Sequence, residues 1–351
     1  MVAHPCRAEC NQRLIRNEVK KICLALCLSF SFLMGGCGFY FDEEHEKNAL
    51  NGMLVEEKYA ALDKAFAKAE KQYRNGKLST KQWEGRWLSI ADINADGIEP
   101  RFDSWVGQTG SPYAYLARGL FNTNKAWEAR GTKLASETTD AQFAELYRLS
   151  DKAEKDLLVA REKISTCSIC IAGLLRANRA FGRPAAVSET LLNEALASDS
   201  KSRSAVFVYF TGLYPQWRGS FKLMHGFIDD MERQVSDPAV IDELRSRYCW
   251  MQANSAVESG DRDLALQWYE RGLTAHPYDM LMKHLAAAYM EKKEVDKAVK
   301  VLEDNLKLND AWDLYTLEAL AQAYFESGQQ DKGKEMLRKR DEAQHRYNNF
   351  L

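Results

Sequence analysis

Cys167-Ser168-Ile169-Cys170 is a C-x-x-C pair that follows Ser165-Thr166. With Thr166 capping a helix, Cys167 would sit on its first turn, where the macrodipole lowers a thiol pKa and readies it for exchange. The flanking sequence has no βαβ pattern and no neighbouring Trp-Cys, so a structural disulfide or a pair of buried thiols suits it as well. A second group is Arg118, Trp127, Arg130 and Glu137, with Trp105 and Trp217 as further aromatic surface. A guanidinium can fork onto a carboxylate while an indole stacks on a ligand, so these six are the candidate binding residues. They also have a plainer reading, in which the arginines pair with acids inside a helical stack and the nearby glycines let helices approach. Enzyme signatures are few. The histidines are scattered, His276 and His284 lack the i, i+4 spacing of a helical metal pair, and no G-x-S-x-G or phosphate loop occurs. Glu137 is the one candidate acid for glycan hydrolysis, and nothing around it matches that class of enzyme. The expectation is a chain without a catalytic residue, metal or cofactor.

The elements that must carry these residues are helices. Leu285-Ala286-Ala287-Ala288-Tyr289 precedes Lys297-Ala298, and Leu320-Ala321-Gln322-Ala323-Tyr324 precedes Lys332-Gly333, each matched feature displaced by 35. An earlier copy places Ala253, Ala256, Ala265, Tyr269, Gly272 and Pro277 in the small, small, small, aromatic, small, proline order of a tetratricopeptide-like unit. Such a period predicts an all-α chain, an α/α superhelix of stacked helix-turn-helix repeats. The repeats are expected over 236–351, ending in a polar capping helix after Arg340.

Before the helices comes a leader. Ile22 to Met34 is a 13-residue apolar run behind Lys20-Lys21, too short to span a membrane but suited to a secretory signal. It ends in Leu33-Met34-Gly35-Gly36-Cys37, which resembles a bacterial lipobox and makes Cys37 the expected lipidation site. Residues 1–36 are thus read as a signal peptide whose true start is Val19, and 37–52 as a lipidated linker. Gly38 after the acylated cysteine resembles lipoproteins sent to the outer membrane. Removal of the leader takes five basic and two acidic residues from a chain of net charge −2, leaving it more acidic. An acidic chain without a basic run lacks the electrostatic footprint of a nucleic-acid binder.

Between linker and repeats, Leu54, Tyr59, Leu62, Phe66 and Tyr73 form one apolar stripe, and Trp83, Trp87 and Ile90 mark a shorter helix, within an N-terminal helical region over 53–110. Ser111-Pro112 signals the next helix and Thr139-Asp140-Ala141-Gln142 a capping box after it.

The run Ser111-Pro112, Ala117-Arg118-Gly119, Ala126 to Gly131, Ser136-Glu137-Thr138 and Gln142-Phe143, followed by Leu213 to Phe221, Met224 and Phe227, resembles an uncharacterised bacterial family. That family is domain of unknown function 4034, a helical, tetratricopeptide-like group whose members often carry glycine where Arg218 stands. The resemblance covers roughly 100–235, is assigned to a family core over 111–235, and implies no activity, substrate or cofactor. A membrane-anchored lipoprotein of the bacterial envelope, facing the periplasm and binding a protein or peptide partner, is the leading expectation. A periplasmic thiol-disulfide protein using Cys167 and Cys170 is the alternative, and a cell-wall glycan-processing enzyme the third.

Overall fold

The computed structural model describes residues 48–349, apart from 94–96, 133–134, 165–166 and 309–312. The signal peptide, the Val19 start, Cys37 and most of the linker lie outside the described residues. Among those described there is no strand.

The strongest capping signals open helices where the sequence places them. Ser111 accepts from the Tyr113 amide at 3.1 Å and Pro112 takes the first position of a helix over Pro112–Arg130. Thr139 and Gln142 close a reciprocal capping box, 3.3 Å one way and 3.1 Å the other, at the start of Asp140–Lys163. The stripe from Leu54 to Tyr73 is not one helix. The segment 48–55 ends where Glu57 turns into the left-handed region and the Lys58 amide donates back to the Met53 carbonyl, so a new helix begins at Tyr59. This is the usual left-handed helix stop made without glycine.

After the helical segment 48–55, the helices in chain order are α1 (Tyr59–Arg74), α2 (Thr80–Ala91), α3 (Ile98–Thr109), α4 (Pro112–Arg130), α5 (Asp140–Lys163), α6 (Ser168–Ala180), α7 (Ala185–Ser198) and α8 (Arg203–Gly212). After them come α9 (Phe221–Gln234), α10 (Pro238–Glu258), α11 (Arg262–Ala275), α12 (Asp279–Glu291), α13 (Val295–Leu308), α14 (Leu314–Glu326) and α15 (Gln330–Asn349). From α4 onward, sequence neighbours such as α4 and α5, α10 and α11, and α14 and α15 pack as hairpins. The even-numbered helices α2, α4, α6, α8, α10 and α12 touch in succession as a second row. A hairpin ladder with one helix of each pair forming a continuous row is an α/α superhelix of tetratricopeptide-like units. In the C-terminal units Ala253, Ala265, Tyr269, Leu285, Ala286, Leu320 and Ala321 are all buried in one cluster, as the repeat requires.

The row also closes on itself, because α8 touches α2. Glu84 of α2 is buried and accepts from the Ser204 amide at 3.0 Å and the Ser204 hydroxyl at 2.8 Å, with the Ser202 hydroxyl 3.4 Å away. It thereby caps the first turn of α8 from a helix 120 residues earlier. Burial pushes its carboxyl up to about 7, against the Ser204 hydrogen bonds that favour the ionised form. An acid held more tightly protonated in the folded chain contributes stability that is full below the ordinary value near 4.5 and lost as pH rises through about 7. Between those values the urea midpoint is expected to fall by the equivalent of roughly 3 kcal/mol at most, and Glu84→Gln is expected to flatten that slope. An unchanged slope in the variant would remove Glu84 as its source.

Candidate functional site

The six sequence candidates separate into three places. Trp105 is a core residue. It is fully buried, lies 6.1 Å from the Phe66 ring and donates its indole N–H to Asp63 at 3.0 Å, so expecting it to meet a ligand is corrected. The apolar face of α3 turns it inward because Phe102 and Val106 share that side and are buried with it.

Arg118 takes the plain reading. Its Nε and Nη2 fork onto Asp156 of α5, both at 2.7 Å, and its Nη1 reaches Asp103 of α3 at 2.9 Å. The Asp156 hydrogen bonds hold the guanidinium above its ordinary pKa, with Asp103 adding to them against burial. The arginine side chain is 16% exposed and Asp156 6%, so the pair ties α4 to α5 and is not a free surface charge. Asp156→Ala leaves Arg118 with Asp103 alone, and a loss of about 2 kcal/mol is expected in urea unfolding. Equal stability of the variant would show that the pair does not hold these helices. Glu137 stands apart, exposed on a single 3-10 turn over Ala135–Glu137.

Trp127, Arg130 and Trp217 do come together. Trp127 and Arg130 are on the last turn of α4. Trp217 arrives from a 3-10 turn over Pro215–Trp217, where Arg218 holds the left-handed conformation that favours glycine. The two indoles meet edge to face at 5.4 Å, and the buried Arg130 guanidinium stands 5.4 Å from the Trp217 ring. The sequence reading missed the residues that complete the group, Arg176 and Arg179 of α6. Arg179 lies 5.9 Å from Trp127 and 5.8 Å from Trp217 and donates to the Val208 carbonyl of α8. Arg176, one turn earlier, donates to the Asn124 side-chain oxygen, and the Asn124 amide donates to the Ala91 carbonyl of α2 at 3.1 Å. The cluster thus sits where α2, α4, α6 and α8 face one another. Both residues are largely, though not completely, buried. Burial lowers each to about 10, and for Arg179 the charge of Arg176 adds to it. An arginine pair three apart in an otherwise uncharged helix was the only available signal.

The C-x-x-C pair lies at the other end of α6. Cys167 is itself the N-cap residue, in place of Thr166, which lies outside the described residues. Cys167 and Cys170 are joined in a disulfide with Cα atoms 5.1 Å apart, and both residues are buried, which withdraws the sulfurs from a partner thiol. Cys249 is a buried free thiol, and burial pushes its pKa up. Two clefts open in the C-terminal units, of about 310 Å³ beside Tyr248, Cys249 and Trp268 and about 240 Å³ beside Tyr269, His284 and Tyr315. Neither reaches the Arg/Trp cluster.

A family model described as Domain of unknown function (DUF4034) matches residues 46–206. The match begins earlier than the 100–235 resemblance and ends before Leu213, so the Trp217 segment falls outside it. No curated protein matches the sequence. Among solved structures, a monomeric mutant of IFIT1 with Gppp-AAAA is 12% identical, with a TM-score of 0.29, over 84% of this chain and 80% of that one. At that score the likeness bears on neither shape nor activity.

Proposed function

We propose that this chain, whose residues 46–206 match the DUF4034 family model, is a non-enzymatic binding module for a protein or peptide partner, held at a bacterial membrane by lipid on Cys37. The observation that carries the reading is the partly buried Arg/Trp group gathered where α2, α4, α6 and α8 meet. Tryptophans and arginines grouped in this way are the side chains that dominate binding energy at protein interfaces. Helical repeats also present extended surfaces suited to partners. Anchoring rests on the lipobox-like run before Cys37.

A photo-crosslinking residue at Gln216, exposed beside Trp217, is expected to form a covalent adduct with one defined protein in intact cells. The absence of an adduct above that formed from an exposed position on α9 would sink the reading. Incorporation of labelled palmitate that persists in Cys37→Ala would remove the anchor.

A further inference from the structure

We infer that Arg176 and Arg179 are a receptor for neighbouring carboxylates on an acidic peptide segment, with Trp217 as the flat surface beside them; this rests on the binding-module reading and gives its partner a chemistry.

Other partly buried arginines are paired with acids, Arg118 with Asp156, Arg203 with Glu243 and Arg247 with Glu243. Arg176 and Arg179 are different. Among the described residues neither has an ion-pair partner, and their hydrogen bonds go to neutral oxygens, the Asn124 amide and the Val208 carbonyl. Asp92, exposed at the end of α2, is the carboxylate whose charge reaches Arg176, and only the Tyr214 phenol acts on Arg179 in this way. Holding two like charges a turn apart in a crowded site, with no carboxylate in contact with either, is unfavourable unless an anion arrives.

Space is also kept for Arg179. A Cβ on Gly212 of α8 would lie 3.4 Å from its Nη2. Each guanidinium carries five N–H donors, so most remain after the single hydrogen bond each makes to a neutral oxygen. Side chains three apart on a helix start about 5–6 Å from each other, a spacing that suits two adjacent carboxylates. Planar carboxylates match the guanidinium fork. The chain as a whole is acidic, so this positive charge is confined and fits a short anionic segment better than a long polyanion.

The test measures fluorescein-labelled hexaglutamate against the full chain by anisotropy, with hexaglutamine and inorganic phosphate as the other arms. Hexaglutamate is expected to bind and hexaglutamine not. Arg176→Gln and Arg179→Gln together are expected to weaken binding at least tenfold, while Arg233→Gln, at an exposed position of α9, leaves it unchanged. With no peptide present the double variant is expected to melt at or above the wild-type temperature, because it sheds uncompensated charge. Hexaglutamate is expected to raise the melting temperature of the wild type alone. A guanidinium that merely holds the fold predicts the reverse, a lower melting temperature. Arg176→Gln alone provides the same comparison if the double variant does not fold. Equal affinity of variant and wild type, binding of hexaglutamine, or competition by phosphate at lower concentration than hexaglutamate overturns the inference. A Gln216 adduct obtained without hexaglutamate binding overturns it too and leaves the binding-module reading in place.

Discussion

Gly219→Ala is expected to lower stability by about 3 kcal/mol or more, because the new methyl has nowhere to go and overpacking is costly where backbone is the obstacle. A Cβ at this position would lie 1.9 Å from the Leu213 carbonyl oxygen and 2.2 Å from its carbon. Neither atom can swing aside as a side-chain end would. The Gly219 amide also donates to the Tyr214 carbonyl at 3.2 Å, which folds residues 214–219 back on themselves and presents Trp217 to Trp127. Two effects should therefore appear together, a lower urea midpoint and a changed environment for the Trp127–Trp217 pair. Gly226 provides the contrast. It lies inside α9 with nothing within 4 Å of a Cβ, so Gly226→Ala is expected to stabilise by about 0.5–1 kcal/mol through helix propensity. Similar small effects from both substitutions would mean that the loop before α9 is not packed as described.

The contrast shows which parts of the molecule are legible in the sequence. Local chemistry is: Ser111-Pro112, Thr139 with Gln142, and the 35-residue displacement of Leu285 and Leu320 each announce structure within a few residues or by recurrence. Contacts between distant helices are not. Trp105 reads as a possible ligand contact until Asp63, 42 residues away, takes its indole N–H. Glu57 breaks the first apolar stripe without the glycine that would advertise a stop. Arg176 and Arg179 sit in a run that otherwise reads as core, and their partners lie 52 residues before one and 29 after the other. Of the candidate group, Trp127, Arg130 and Trp217 were visible by type. The arginines between them were hidden because a charge is informative only once its neighbours are known.

The second large effect is expected at Leu157. This residue of α5 is fully buried at the junction of α4 and α6 and fits between two glycines. A Cβ on Gly119 would lie 2.8 Å from its Cγ, and one on Gly173 would lie 2.6 Å from its Cδ1. The glycine after Arg118 therefore has a packing role, since it lets α5 lie close enough for Arg118 to reach Asp156. Leu157→Ala should cost about 3–5 kcal/mol, the lost burial plus the cavity left between three helices that cannot easily collapse. Gly173→Ala alone should cost about 1–3 kcal/mol by overpacking. The diagnostic result is the double variant. Removing the leucine branches vacates the space that the new methyl enters, so the combined loss in urea unfolding is expected to fall short of the sum by about 1 kcal/mol or more. Strict additivity would mean that the two side chains do not share this space, and that Leu157 is not what spaces α4, α5 and α6.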